Sequence, residues 1–165
     1  MSTQPSDPVA VTPRAGKYLT FFLAGEEYGV AILKVSEIIG PQPITRVPGV
    51  PEFVRGVINL RGKVIPITDL RRKFSMPNDD ACDGCIVVVA MQGVVTGIVV
   101  DRVGDVVAIG EPEIDDAPSF GAGIHTEFLL GISKAGGRVR MLLDIDRVLS
   151  VGEMELLELA HASDA

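Results

Sequence analysis

Lys63 follows Gly62 in NLRGKVIPITDLRRKF, residues 59–74, and a lysine behind a glycine is how phosphate-cradling loops hold a nucleotide. The spacing excludes that chemistry, because five residues rather than four separate Gly56 from Gly62, and Val64 stands where a magnesium-holding hydroxyl is required. Cys82 and Cys85, in CDGC, have the spacing of a redox or zinc pair. They run into CIVVVAM, a strand pattern rather than a helix start, and no second cysteine pair or nearby histidine completes four zinc ligands. In a cytosolic setting the pair reads as a loop with two reduced thiols. The two histidines, His125 in a glycine-rich loop and His161 near the end of the chain, have no nucleophile or carboxylate set around them. Glu111, Glu113, Asp115 and Asp116 lie in EPEIDDAPSF without a histidine or arginine companion set, so they read as a surface loop rather than an acid–base pair. The expectation is a non-enzyme with no catalytic residue, no metal and no cofactor.

Composition narrows the partners. The 165 residues are 47% hydrophobic, with valine and isoleucine far ahead of aromatics and no tryptophan, which favours strands and leaves room for one compact unit or two very small ones. A net charge of −7 argues against general nucleic-acid binding, which depends on cations that displace counterions. The charge is uneven: residues 46–73 hold seven Arg/Lys against Glu52 and Asp69, whereas residues 101–165 hold thirteen acids against five bases. Such a division reads as ordinary solvated faces or as electrostatically distinct docking surfaces, and the two are compatible. No apolar run approaches the roughly 20 residues of a membrane helix, and the N-terminal MSTQPSDPVAVTPRAGK lacks the pattern of a signal peptide. A cytoplasmic protein without direct membrane contact is expected, with residues 1–16 as a disordered tail and 158–165 as a flexible one.

The elements that must position any site come from a duplication. At an offset of 68, GEEYGVAILKVSEII (25–39) falls on GVVTGIVVDRVGDVV (93–107), matching Gly25 with Gly93, Gly29 with Gly97, Lys34 with Arg102, and Glu37 with Asp105. After a longer connection the offset becomes 75, and GKVIPITDLRRKF (62–74) falls on GRVRMLLDIDRVL (137–149), with Asp69 on Asp144. Each half reads as five short strands, near 18–24, 27–32, 35–40, 56–60 and 63–67, then 85–91, 94–100, 103–109, 128–133 and 138–143. Five twisted strands that close on themselves leave no exposed edge, so an all-β fold of two small barrels side by side is expected. Asp69 and Asp144 read as N-caps of single-turn helices, and GEMELLELA as a terminal helix. GPQPITRVPGVPEFV (40–54) carries four prolines amid Ile44, Val47, Val50 and Phe53; stiffened loops of this kind lose little entropy on docking, and their apolar side chains also serve to close a barrel end.

Four segments carry a resemblance: EEYGVAILKVSEI (26–38), FVRGVINLRGKVIPITDLRRKF (53–74), GIVVDRVGDVV (97–107) and FLLGISKAGGRVRMLLDIDRVL (128–149). Over about residues 17–157 the chain resembles the CheW-like family of bacterial chemotaxis coupling domains. The resemblance implies all-β architecture with a few short helices: two five-stranded SH3-like β-barrels plus a C-terminal helix. The barrels would cover approximately 17–80 and 81–150, with exchange of termini between them left open. It implies a cytoplasmic adaptor, recruited to receptor arrays at the inner face of the membrane and monomeric when free. This adaptor would join the hairpin tip of methyl-accepting chemoreceptors to the regulatory domain of the histidine kinase CheA. Related regulatory domains sit inside longer chains, and 165 residues leave no space for those modules, so a free-standing coupling protein is expected.

The same resemblance implies a receptor-binding groove at Val35, Gly56, Val87 and Val106, with Glu37 and Arg61 as a coupling pair. Val35 and Val87 also read as strand core, and sequence leaves that choice open. Gly56 suits a groove wall that a helix approaches closely. Arg61 has no basic counterpart in the second half, where Ala135 or Gly136 stands. Kinase contacts would fall at Phe120 and Asp115 on one barrel and at Ile44, Arg46 and Val47 on the other. Two alternatives are a CheW-like scaffold for a non-motility output and a small-barrel nucleic-acid binder using residues 46–73. The second has only Phe53 and Phe74 as stacking platforms there.

Overall fold

The computed structural model describes residues 14–74, 76, 84–116, 128–149 and 152–154. Eleven strands form in order: β1 Gly16–Leu23, β2 Glu26–Ala31, β3 Val35–Ile39, β4 Val54–Leu60, β5 Lys63–Asp69, β6 Cys85–Met91, β7 Val94–Val100, β8 Arg102–Ile109, β9 Ile114–Asp115, β10 Leu129–Ser133 and β11 Arg140–Leu143. A single α-helical turn, α1 (Leu70–Lys73), follows β5. All ten strands read from the sequence form, and β9 is an addition.

Three of the tight hairpins turn on an X-Gly pair with positive φ at both residues: Ala24-Gly25, Arg61-Gly62 and Gln92-Gly93. That is the geometry whose twist matches antiparallel strands. In NLRG the turn is reinforced by Asn59, whose Oδ1 accepts from the Gly62 amide at 2.8 Å. The opening motif is thus a hairpin tip and not a phosphate loop.

The strands assemble as a six-stranded sheet, ordered β8-β1-β2-β11-β10-β9, and a five-stranded sheet, ordered β3-β6-β7-β5-β4. Each sheet draws on both sequence halves. The β1–β2 hairpin sits among second-half strands through the parallel pair β2–β11, and β6–β7 sits among first-half strands through the parallel pair β5–β7. A half of the sequence is therefore not a barrel; the two halves have traded their first hairpins.

Burial explains the exchange. CIVVVAM in β6 is apolar almost throughout because both its faces are covered. Ile86 and Val88 point into a small core with Ile58, Ile65, Ile67 and Val99. Val87, Val89 and Met91 point the other way, into a larger core shared with Leu19, Phe21 and Leu23 of β1 and with Leu143 and Ile145. A third cluster, Tyr18, Ile109, Ile114 and Leu142, fills the six-stranded barrel. Each fully buried Val, Ile or Leu is worth about 1.5–3 kcal/mol, so the shared core binds the barrels into one unit.

The duplication is visible in detail. The Asp69 amide donates to the Phe53 carbonyl at 2.7 Å, and the Asp144 amide to the Phe128 carbonyl at 2.7 Å. Asp69 caps α1 by accepting from the Arg71 amide at 2.9 Å and the Arg72 amide at 3.4 Å. After Asp144, in contrast, residues 145–147 form a turn and not the expected helix. Asp146 in that turn faces the β6–β7 hairpin, where its Oδ1 accepts from the Gln92 amide at 2.7 Å, and Lys34 lies 2.8 Å from its other oxygen. Residues 152–154 are helical and Met154 enters the shared core; the rest of the expected terminal helix lies outside the described residues. Among the described residues no helix is long and apolar enough to cross a membrane.

Candidate functional site

The edges of the five-stranded sheet, β3 and β4, are the two strands that barrel closure must bring together. Beyond β3 the chain crosses to β4, where Thr45 exchanges backbone bonds with Val57 at 2.9 and 2.8 Å. At the far end of the same two edge strands stands the Glu37–Arg61 pair. Arg61 Nη1 donates to Glu37 Oε1 at 3.0 Å and Nη2 to Oε2, a two-point contact from the β4–β5 turn to β3. Such fork-to-fork geometry fixes direction as well as charge. The Glu37 carboxyl is held below its ordinary value by the Arg61 hydrogen bonds, and Arg61 is correspondingly raised.

Arg61 adopts φ of 52°, a left-handed conformation that suits Asn or Gly better. The turn puts an unfavourable residue where its side chain, 69% exposed, can reach Glu37 and solvent together. Beside the pair an open concavity of about 780 Å³ enters the mouth of this barrel, bounded by Glu37, Arg61, Lys63, Ile65, Val88 and Val95.

Strand register separates the remaining groove residues from that pair. Val35 is opposite Val89 and Ile38 is opposite Val87, both on the shared-core face, whereas Glu37 is opposite Val88 on the barrel-interior face. Directly opposed residues of an antiparallel pair share a face. On β8, Val106 is opposite Leu19 and Val103 is opposite Phe21, again on the shared-core face. Ile38 and Val106 are 45% and 52% exposed. Both side chains therefore stand exposed on strand faces that elsewhere bury the shared core.

The expected groove residues divide accordingly. Val106 is exposed, and Val35 is half-buried against the core. Val87 is only 1% exposed and is core. Gly56 is buried as well, with φ of 142°, and a Cβ there would lie 2.0 Å from the Thr45 carbonyl oxygen. Its close approach within this structure is to its own chain, at a β-bulge of β4. Ile38 was not anticipated, although the 68-residue offset sets it on Val106.

The second set of residues lies at two comparable edges. Thr45 continues the five-stranded sheet beyond β4, with Arg46 exposed and Ile44 half-buried against the small core; Val47 is half-buried. β9 continues the six-stranded sheet beyond β10, with Asp115 exposed and 3.1 Å from Lys134. Phe120 lies outside the described residues. The acidic cluster does have an arginine companion: Arg14 bonds to Glu111 and, at 2.9 Å, to Asp116. The Cys85 thiol is free and half-buried at the start of β6; Cys82, His125 and His161 lie outside the described residues.

A family model described as the CheW-like domain matches residues 17–153. The Chemotaxis protein CheW of Klebsiella aerogenes is 43% identical over 143 residues, covering 86% of each chain. That of Bacillus subtilis is 36% identical over 137 residues, 81% of this chain and 86% of the relative. Among solved structures, the scaffolding protein TtCheW of Thermoanaerobacter tengcongensis is similar with a TM-score of 0.75 and 34% identity, covering 84% of this chain and 95% of that one. With its paired barrels, its shared core and these relatives in agreement, the chain belongs to the CheW-like domain family.

Proposed function

We propose that the chain is a non-enzymatic coupling scaffold of chemotaxis signalling, which holds a chemoreceptor hairpin tip and the regulatory domain of the histidine kinase CheA at the same time. One observation carries the reading: Ile38 and Val106 are exposed on the strand faces whose register partners, Val87 and Leu19, are buried in the shared core. An apolar seam between the barrels fits an amphipathic helix laid along it. Arg61 and Glu37, one residue along β3 and on its other face, supply the directional charge that orients the helix pair. The kinase domain takes the edges at Thr45 and β9, away from the seam. Binding energy alone passes between partners, and no covalent step occurs on this chain.

A reconstituted kinase assay with receptor-containing membranes tests the reading. Ile38→Asp and Val106→Asp should each abolish most of the receptor-dependent stimulation while both variants remain folded. Full stimulation by the folded double variant would exclude the seam as the receptor site.

A further inference from the structure

The six-stranded sheet ends on β9, a strand held to β10 by two register pairs, Ile132 with Asp115 and Ser133 with Ile114. So short an edge has little backbone support of its own. It also gathers Glu111, Glu113, Asp115 and Asp116 within six residues, and their mutual repulsion works against a fixed conformation.

Arg14 answers both problems. Its Nε donates to Glu111 Oε2 at 3.2 Å and Nη2 reaches the same oxygen. Nη1 donates to Asp116 Oδ1 at 2.9 Å and to the Leu130 carbonyl at 3.3 Å. Glu111 precedes β9, Asp116 follows it and Leu130 lies on β10, so one guanidinium brackets the strand and ties it to its neighbour. Arg14 is itself fixed, because the hydroxyl of core residue Tyr18 donates to its carbonyl at 2.5 Å. Gly131 leaves the space: a Cβ there would lie 2.8 Å from the Asp115 carbonyl oxygen and 3.1 Å from Arg14 Nη1. Among the described residues the equivalent edge at Thr45 carries no such bracket.

We propose that Arg14 is a positioning residue for the β9 edge, fixing its conformation and offsetting one of its four negative charges for the docking of a kinase regulatory domain. The inference rests on the reading of that edge as a kinase-binding surface. A lysine at this position could neutralise one carboxylate but could not span Glu111, Asp116 and the Leu130 carbonyl with one planar group.

The test uses the full chain with Arg14→Ala, Arg14→Lys and Asp115→Lys. It reads affinity for the purified kinase regulatory domain, affinity for a receptor hairpin fragment, and amide exchange at β9 and at Lys134, whose N–H bonds to the Glu113 carbonyl at 2.9 Å. Arg14→Ala should weaken kinase-domain binding about tenfold, speed exchange at those amides and leave hairpin binding within about twofold. Arg14→Lys should recover only part of the loss. Unchanged kinase affinity in Arg14→Ala while Asp115→Lys is impaired would overturn the role of Arg14 and keep the edge as a binding surface. Unchanged affinity in both would overturn the edge reading and the inference with it. Equal loss of kinase and hairpin binding in Arg14→Ala would also overturn the proposal, since it would mark a general loss of fold.

Discussion

Ile38 on β3 and Val106 on β8 occupy the same place in the two sequence repeats and stand exposed over one shared core, the first opposite buried Val87, the second opposite buried Leu19. Leu19 and Val87 are repeat counterparts too, at the same offset of 68. The seam is therefore pseudo-symmetric in its apolar part, and the Glu37–Arg61 pair breaks that symmetry: Asp105, the counterpart of Glu37, has no arginine across from it among the described residues.

Substitutions in the seam should separate binding from folding. Ile38→Ala and Val106→Ala remove exposed side chains, so thermal midpoints should move by no more than about 2 °C while receptor-fragment affinity falls. Val87→Ala instead opens a cavity and should cost about 2 kcal/mol in a denaturant titration. Equal destabilisation by all three would place Ile38 and Val106 in the core.

Arg61→Asn should give a sharper separation. Asparagine tolerates the left-handed turn at residue 61 better than arginine does, so the variant should melt at or above the parent temperature. Receptor coupling should nevertheless drop in the reconstituted kinase assay. Undiminished coupling would show that the guanidinium serves the turn region only.

The carboxyl of Glu37 reports on the pair directly. Its folded value is depressed by the Arg61 hydrogen bonds, so the pair's contribution is present above the unfolded value and is lost as pH falls through the folded one. In an NMR titration Glu37 should titrate below 4.5 in the parent chain and move upward in Arg61→Asn. An identical titration in both chains would mean that the two-point contact does not persist in solution.

Most strands were legible because their signals are local: alternating or continuous apolar runs bounded by X-Gly pairs. The hairpin exchange was not, since a β-hairpin carries the same pattern whichever half it joins; the shared core decides its place, and that core is assembled from distant segments. Val87 and Gly56 were ambiguous for a related reason. A buried valine and a groove valine look alike in sequence, and a glycine that admits a close backbone approach does not say whose backbone approaches. The Arg14 bracket spans about a hundred residues, with Glu111 97 positions away, beyond any spacing rule. Ile38 was missed although the repeat carries a signal for it: the offset that pairs Val35 with Val103 also sets Ile38 on Val106.

Asp69 should behave as a folding residue. It is fully buried, caps α1 and lies 3.3 Å from Arg55, so Asp69→Ala strands buried partners and should cost about 3–5 kcal/mol. Chemical denaturation measures this. A loss below about 1 kcal/mol would mean that the arginines around it are satisfied by solvent.

Titration calorimetry of the CheA regulatory domain into the chain already saturated with receptor hairpin addresses simultaneous binding most directly. Separate surfaces require unchanged stoichiometry and a dissociation constant within about threefold of that for the free chain, a shift of less than 1 kcal/mol. Displacement of the hairpin, or disappearance of the binding heat, would contradict the scaffold.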